Sequence, residues 1–212
     1  MPPSDGRAHV ALPVWTGVVS ACAACALGGV ALVATLRLSH GGAPLTALLV
    51  CEAVAGAAGI ALLRRCAARV PIHVPTRRDV VVVAVAFAAL VATRFVLARA
   101  GVVVAPALLA PRVDPHLTGI LVAALAIGPL VEEIVFRGLL FGGLAGAVGV
   151  VPAALLSGVA FALAHGEPAI VVAIAALGVV NALAYAATRN LTVPIALHVA
   201  NNALALLAVV SP

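Results

Sequence analysis

Three charged side chains interrupt an apolar run: Glu132, Glu133 and Arg137, within the stretch GPLVEEIVFRG from Gly128 to Gly138. An ionised carboxylate at mid-membrane costs at least about 2.5–3.5 kcal/mol on insertion scales, so two adjacent ones mark a candidate functional site. Glu133 stands four residues before Arg137, acid first, which is the favourable order for an intrahelical ion pair. That pairing accounts for Glu133 and leaves Glu132 over. Adjacent helical residues point about 100° apart, so the pair can face one neighbour while Glu132 faces the interior of a bundle.

An interior carboxylate needs polar company, and two later insertions offer it. Phe161 and His165 lie one turn apart in FALAHG, and His198 and Asn202 share a face in HVANN. Read alone, a histidine in an apolar helix is a structural hydrogen-bond donor and an asparagine is glue between helices. Read together, Glu132 and a neutral His165 could deprotonate a water for attack on an amide carbonyl. His198 and the Asn202 amide could then donate to the developing oxyanion, a role worth roughly 3–4 kcal/mol per donor. Glu132, His165 and His198 could instead ligate zinc, which in catalytic sites takes three protein ligands and a water. No serine, cysteine or His-Glu-x-x-His arrangement competes at comparable quality. Glu167 reads as a loop or helix-start acid, because Pro168 behind it suits a first helical turn.

The elements that must position these groups follow from composition. Of 212 residues 65% are hydrophobic and 9% charged, far from the roughly 45–50% and 25% of a soluble domain. The chain reads as all-α, a polytopic transmembrane bundle with no separate water-soluble domain. Runs long enough to cross a bilayer lie at about 13–36, 43–63, 79–98, 118–144, 149–165, 168–187 and 192–210. A shorter run at 101–111, with Pro106 inside it and Pro111 at its end, reads as a short, re-entrant or broken helix and brings the count to about eight. The first run exceeds the roughly 7–15 residues of a signal h-region and is expected to be a span. At about 1.5 Å per residue, Glu132 lies roughly 20 Å before the 145–150 turn and His165 about 20 Å after it, so the two can meet at one level. His198 and Asn202 lie only about 10–15 Å past the 189–191 turn, which requires the last helix to tilt or to start recessed.

The net charge of +5 comes from arginine, since the chain has no lysine, and the arginines cluster between apolar runs. That is membrane topology rather than a nucleic-acid surface. Arg64, Arg65, Arg69, Arg77 and Arg78 place residues 64–78 inside the cell and the N-terminus with them; Arg37, Arg94 and Arg99 then fall toward the outer side. Cys22, Cys25, Cys51 and Cys66 read as buried small hydrophobes, not as a redox or metal set. The Asn190-Leu-Thr192 acceptor pattern for glycosylation is set aside, because nothing else points to a secretory lumen. Gly138 and Gly142, four apart, suggest a face that admits another helix closely.

In order, Glu132, Glu133 and Arg137, then Phe161 and His165, then His198 and Asn202 resemble the motifs EExxxR, FxxxH and HxxxN of the CAAX prenyl endopeptidase and bacteriocin-processing family, also called the Abi family. Each motif alone arises by chance; the three in order on successive apolar helices are specific. The resemblance covers about residues 118–210, so the chain divides into motif-free helices over 1–117 and protease-like helices over 118–212 of one integral membrane domain. It implies an intramembrane endopeptidase of mostly eight helices, active between the C-terminal ones. By position, Glu132 and His165 would activate water, and His198 and Asn202 would form the oxyanion hole. Glu133, Arg137 and Phe161 match the supporting positions. The expected partners are the bilayer and a membrane-associated peptide or protein substrate, in a bacterial plasma membrane. The resemblance leaves the metal question open, with no cofactor expected unless zinc sits at Glu132, His165 and His198. Substrate, oligomeric state and the side to which the cavity opens are not legible. Two rivals make other forecasts. A non-catalytic scaffold or self-immunity protein would tolerate Glu132→Gln, and a proton-coupled transporter with Glu132 and His165 as relay would move substrate without cleaving peptide.

Overall fold

A computed structural model describes residues 13–39, 44–65, 70–102, 123–166 and 168–210. The described residues are all helical apart from short turns and the 70–76 connection, as the apolar periodicity predicts, with seven helices. We number them α1 (Val14–Leu38), α2 (Pro44–Arg65), α3 (Arg77–Arg99), α4 (123–148), α5 (Val150–Ala164), α6 (Val171–Thr188, entered through a 3₁₀ turn at Pro168–Ile170) and α7 (Thr192–Val210). Four stretches are long and apolar enough to cross a membrane: α1, Thr46–Arg65 of α2, α3, and α6 with its entry turn. Helices α5 and α7 are shorter and apolar. The chain is an integral membrane protein. The 103–111 part of the short Pro106 run lies outside the described residues, as do Cys66, Arg69 and Glu167.

Helix α4 lies in the middle, packed against α1, α2, α5, α6 and α7, while α3 lies against α6 and α7. Its backbone is not a uniform α-helix. A π-helical turn at Ala123–Ile127 leads into α-helix at Gly128–Glu133, then π-helix at Ile134–Phe141, then α-helix at Gly142–Val148. All eight residues of Ile134–Phe141 are buried, Arg137 included. Widened π turns loosen the regular ladder and occur often at functional sites. Here Ser157 of α5 donates to the carbonyl of Phe136 at 3.1 Å.

Two close approaches set the packing. Gly17 of α1 and Gly143 of α4 meet backbone to backbone: a Cβ on Gly143 would lie 2.9 Å from the Gly17 Cα. Gly158 of α5 and Gly178 of α6 meet in the same way, at 2.7 Å. The close-approach face expected at Gly138 and Gly142 is therefore half right. Gly138 packs beside Val70 and Leu63, but a Cβ on Gly142 would meet only the carbonyl of Arg137, in its own helix. One residue further on is the face turned to α1. Gly149, at φ +85°, joins α4 to α5 in a single residue, a conformation glycine adopts without a Cβ clash.

The turn between α6 and α7 is recessed, which resolves the depth mismatch of the last helix. Asn190 and Leu191 are fully buried beneath the 71–76 segment. The Asn190 amide donates to His73 O and accepts from His73 N, and Leu191 N donates to Pro71 O. Asn190 also donates to Asp79, which completes a capping box with Thr76 at the start of α3. Buried and hydrogen-bonded in this way, Asn190 offers no glycosylation acceptor. The same contacts bring Arg189 to the end that holds Arg77 and Arg78, extending the basic cluster there. The cysteines differ from expectation: Cys22 and Cys25 are exposed and Cys51 is half-buried, all as free thiols. A bundle in lipid can carry small hydrophobes on its outer surface, where a water-soluble protein would bury them.

Candidate active site

Glu133 and Arg137 form the expected ion pair, Nε to Oε2 at 2.9 Å, with both side chains fully buried. Neighbouring helices add further contacts to it. Arg137 Nη2 donates to the Gly178 carbonyl at 3.0 Å, and its guanidinium stacks 4.6 Å from the centroid of Phe161. Asn181 Nδ2 donates to Glu133 Oε1 at 2.9 Å and to the Pro194 carbonyl at 3.3 Å, tying α4 to α6 and to the first turn of α7. His198 Nδ1 reaches the same Glu133 oxygen at 2.9 Å. A carboxylate already paired with Arg137 accepts here, so His198 Nδ1 carries the proton and its Nε2 is directed elsewhere.

That direction is toward Glu132. His198 Nε2 lies 3.5 Å from Glu132 Oε2, and His165 Nε2 lies 4.0 Å from Glu132 Oε1. His165 is pinned by the same logic: its Nδ1 donates to the carbonyl of Phe161 at 2.8 Å, one turn back. Both rings thus have Nδ1 committed to a neighbour and Nε2 turned to one carboxylate. Phe161, fully buried, fixes their planes edge-on, 4.5 Å from His165 and 5.6 Å from His198, and packs on Phe136 at 5.1 Å. His165 caps the C-terminal end of α5, and Gly166 at φ +66° carries the chain away.

Exposure separates the two glutamates. The Glu133 side chain is 0% exposed, whereas Glu132 is 21% and His165 30% exposed. Glu133 is sealed into the bundle; Glu132 is partly exposed beside His165, the residue at which α5 stops. Asn202 follows His198 by one turn of α7, and its amide oxygen accepts from Asn201 Nδ2 at 3.4 Å. Asn201 in turn accepts from Arg94 of α3 at 2.7 Å.

Glu132, Glu133, Arg137, Phe161, His165 and His198 therefore come together from α4, α5 and α7, while Asn202 lies one turn beyond His198 on α7. Although both Nε2 atoms face Glu132, no group of three or more His, Cys, Asp or Glu side chains among the described residues is disposed to hold one metal ion. One member of the cluster has no motif to announce it. Asn181 is a single polar residue in the apolar run of α6, and only its asparagine identity in a span hints at an interhelical contact.

Comparison with known proteins agrees with the motifs. Residues 114–204 match the family of type II CAAX prenyl endopeptidases described as Rce1-like, and over this segment the resemblance is shown. A membrane-embedded CAAX protease, MroQ, from Staphylococcus aureus (strain USA300) is 40% identical over 82 residues, 36% of this chain and 33% of that protein. A putative membrane peptidase, YdiL, from Bacillus subtilis (strain 168) is 36% identical over 76 residues, 36% of this chain and 31% of that protein. The matched segment thus spans about a third of the length of each of these relatives. No solved structure matches the chain.

Proposed function

We propose that this chain is a membrane-embedded endopeptidase of the CAAX-protease type, which hydrolyses a peptide bond in a membrane-associated peptide or protein with water activated at Glu132. The observation that carries the reading is the inequality of the two glutamates. Glu133 is neutralised by Arg137 and closed off, while Glu132 is left outside that pair, partly exposed, with two imidazole Nε2 atoms aimed at it. Gaps of 3.5 and 4.0 Å are too long for a direct hydrogen bond and suit a bridging water.

In this mechanism the Glu132 carboxylate takes a proton from a water oriented by His165 Nε2, and the water oxygen attacks the amide carbon. The carbonyl π electrons move onto oxygen. Asn202 and His198 donate to that oxyanion, His198 through Nε2–H in its imidazolium form, which Glu133 at Nδ1 supports. Glu132 returns its proton to the departing nitrogen as the C–N bond breaks, giving a carboxylic acid and an amine. Glu133, Arg137, Asn181 and Phe161 touch none of the reacting atoms and act by positioning. No step is routed through a metal.

The test compares the native protein with Glu132→Gln and His165→Ala in membranes, by mapping new peptide termini at matched protein levels. Termini made only by the native protein support hydrolysis and identify the substrate class. Identical profiles in all three, with a phenotype that survives both substitutions, would move the assignment to the non-catalytic scaffold.

A further inference from the structure

A carboxylate outside every motif lies beside the site. Glu52 is the only acid in α2, a helix whose other charges are Arg64 and Arg65 at its end. Helix α2 meets α4 along one stripe. A Cβ on Gly56 would lie 2.8 Å from Val131 Cγ2, and one on Gly59 would lie 3.4 Å from both Ile134 and Val135. Gly56, Gly59 and Leu63 on this stripe are buried, and Glu52 continues it one turn earlier at the helical i, i+4 position. The contacts advance together along both chains, so α2 and this part of α4 run parallel. Glu52 therefore sits about 6 Å, one turn, beyond the level of Val131, the residue before Glu132. It is half-buried where its stripe-mates are sealed.

Among the described residues its charge environment is one-sided. Glu52 and Glu132 lie within range of one another's charge, while Arg137 is spent on Glu133. Among the described residues Glu52 has no hydrogen bond and no ion pair. A carboxylate at this depth without a protein cation is expensive, and a cation from outside the chain lowers the cost.

We propose that Glu52 is a specificity-determining residue that receives a cationic side chain, lysine or arginine, of the substrate peptide next to the bond presented to Glu132. This rests on the endopeptidase reading for the bond but not for the binding. The peptide then lies along the α2–α4 seam with its basic residue toward the N-terminal ends of both helices, the end away from Arg64 and Arg65. An aliphatic residue at the same place leaves Glu52 unmatched in an apolar setting, so the seam discriminates against it.

The test measures binding of two hydrophobic peptides, identical except for one lysine or norleucine scanned along the sequence, to the Glu132→Gln protein in nanodiscs, so that nothing is consumed. At one position the lysine peptide should bind about tenfold or more tighter, the scale of a hydrogen-bonded charge pair. Adding Glu52→Gln should reduce that ratio to near one, and Glu52→Asp should keep most of it. A ratio near one at every position with Glu52 in place overturns the proposal without need of a variant, as does a ratio that persists in Glu52→Gln. Cleavage of the preferred peptide by the protein with Glu132 restored is read separately. Lysine preference without any cleavage would sink the endopeptidase reading and leave Glu52 as a cation receptor.

Discussion

Helices α3 and α4 are both apolar runs broken by charge, and they have opposite fates. Helix α3 is the most apolar of the four spans, yet only 6% of its apolar window is buried; Asp79 and Leu90 are its buried residues. Every residue of α4 from Ile134 to Phe141 is buried, including Arg137. In a soluble protein the more apolar helix would be the more central. In a bilayer the lipid is as apolar as leucine, so apolar character has no power to draw a helix inward. What does so is the need of buried charge for partners, and small residues that admit backbones closely. Glu133 of α4 is met from α6 and α7, and Gly143 is met by Gly17 of α1, whereas the arginines of α3 lie mainly at its ends.

The largest effect should come from breaking that need. Arg137→Gln strands Glu133, fully buried, beside a neutral amide, and losing one partner of a buried pair costs about 3–5 kcal/mol. The variant should accumulate poorly and lose thermal stability in detergent, with activity lost alongside. Glu132→Gln alters the neighbouring residue, and its cost should appear elsewhere. Removing an acid/base group should lower peptide cleavage by about 10²–10⁴-fold, while the melting temperature stays close to native because the two imidazoles beside Glu132 are each also held through Nδ1. A comparable loss of stability in both variants would show that the two glutamates form one structural unit and would end the division of labour.

How far the sequence alone reveals this contrast depends on whether the signal is local. The spans were legible because apolar runs, prolines and glycines report on neighbours in the chain: α7 begins at Thr192 as expected, and α5 at Val150 within a residue. The Glu133–Arg137 pair was legible for the same reason, four residues apart on one helix. Glu132, His165 and His198 could be nominated by residue type, but their convergence needed α7 to start deep. That depth is set by Asn190 held under His73, a contact across 117 positions. Asn181 has no spacing partner in its own helix; its meaning comes from Glu133, 48 positions away. Gly143 was missed in favour of Gly142 because a one-residue shift changes the face, and only Gly17 says which face is used. Glu52 carries the same local signal as Glu132, an acid within an apolar run, and can be flagged without a structure.

Asn181 sharpens the comparison from the other helix. Asn181→Leu withdraws one donor from Glu133 Oε1 and leaves the carboxylate to His198 and Arg137. Loss of a buried hydrogen bond to a charged group should cost about 1.5–3 kcal/mol, less than loss of Arg137. With one tie to Glu133 gone, the carboxylate should hold the His198 ring less firmly in place, so the cleavage rate should fall along with stability. Asn181→Asp would place a second acid against Glu133 and should be worse than leucine. A cleavage rate that stays native in Asn181→Leu while stability falls would make Asn181 a packing residue only.

The smallest effect compares one chemical change on both helices. Val85 of α3 is 66% exposed and Val135 of α4 is 2% exposed, and each can be replaced by leucine. At Val85 the added methylene extends into lipid, where there is room and no gain or loss of apolar transfer, so stability should hold within about 0.5 kcal/mol. At Val135 it meets a filled interior. A Cβ on Gly59 would already lie 3.4 Å from Val135 Cγ2, and overpacking costs typically about 1–3 kcal/mol. Because α2 lies on that side, the excess volume should push α2 away from α4 along the Gly56–Gly59 stripe. Val135→Leu should then weaken any lysine preference exerted through Glu52 more than it weakens stability. Equal tolerance at both positions would mean that α4 sits in a slack interior, and the packing account of its central place would fail.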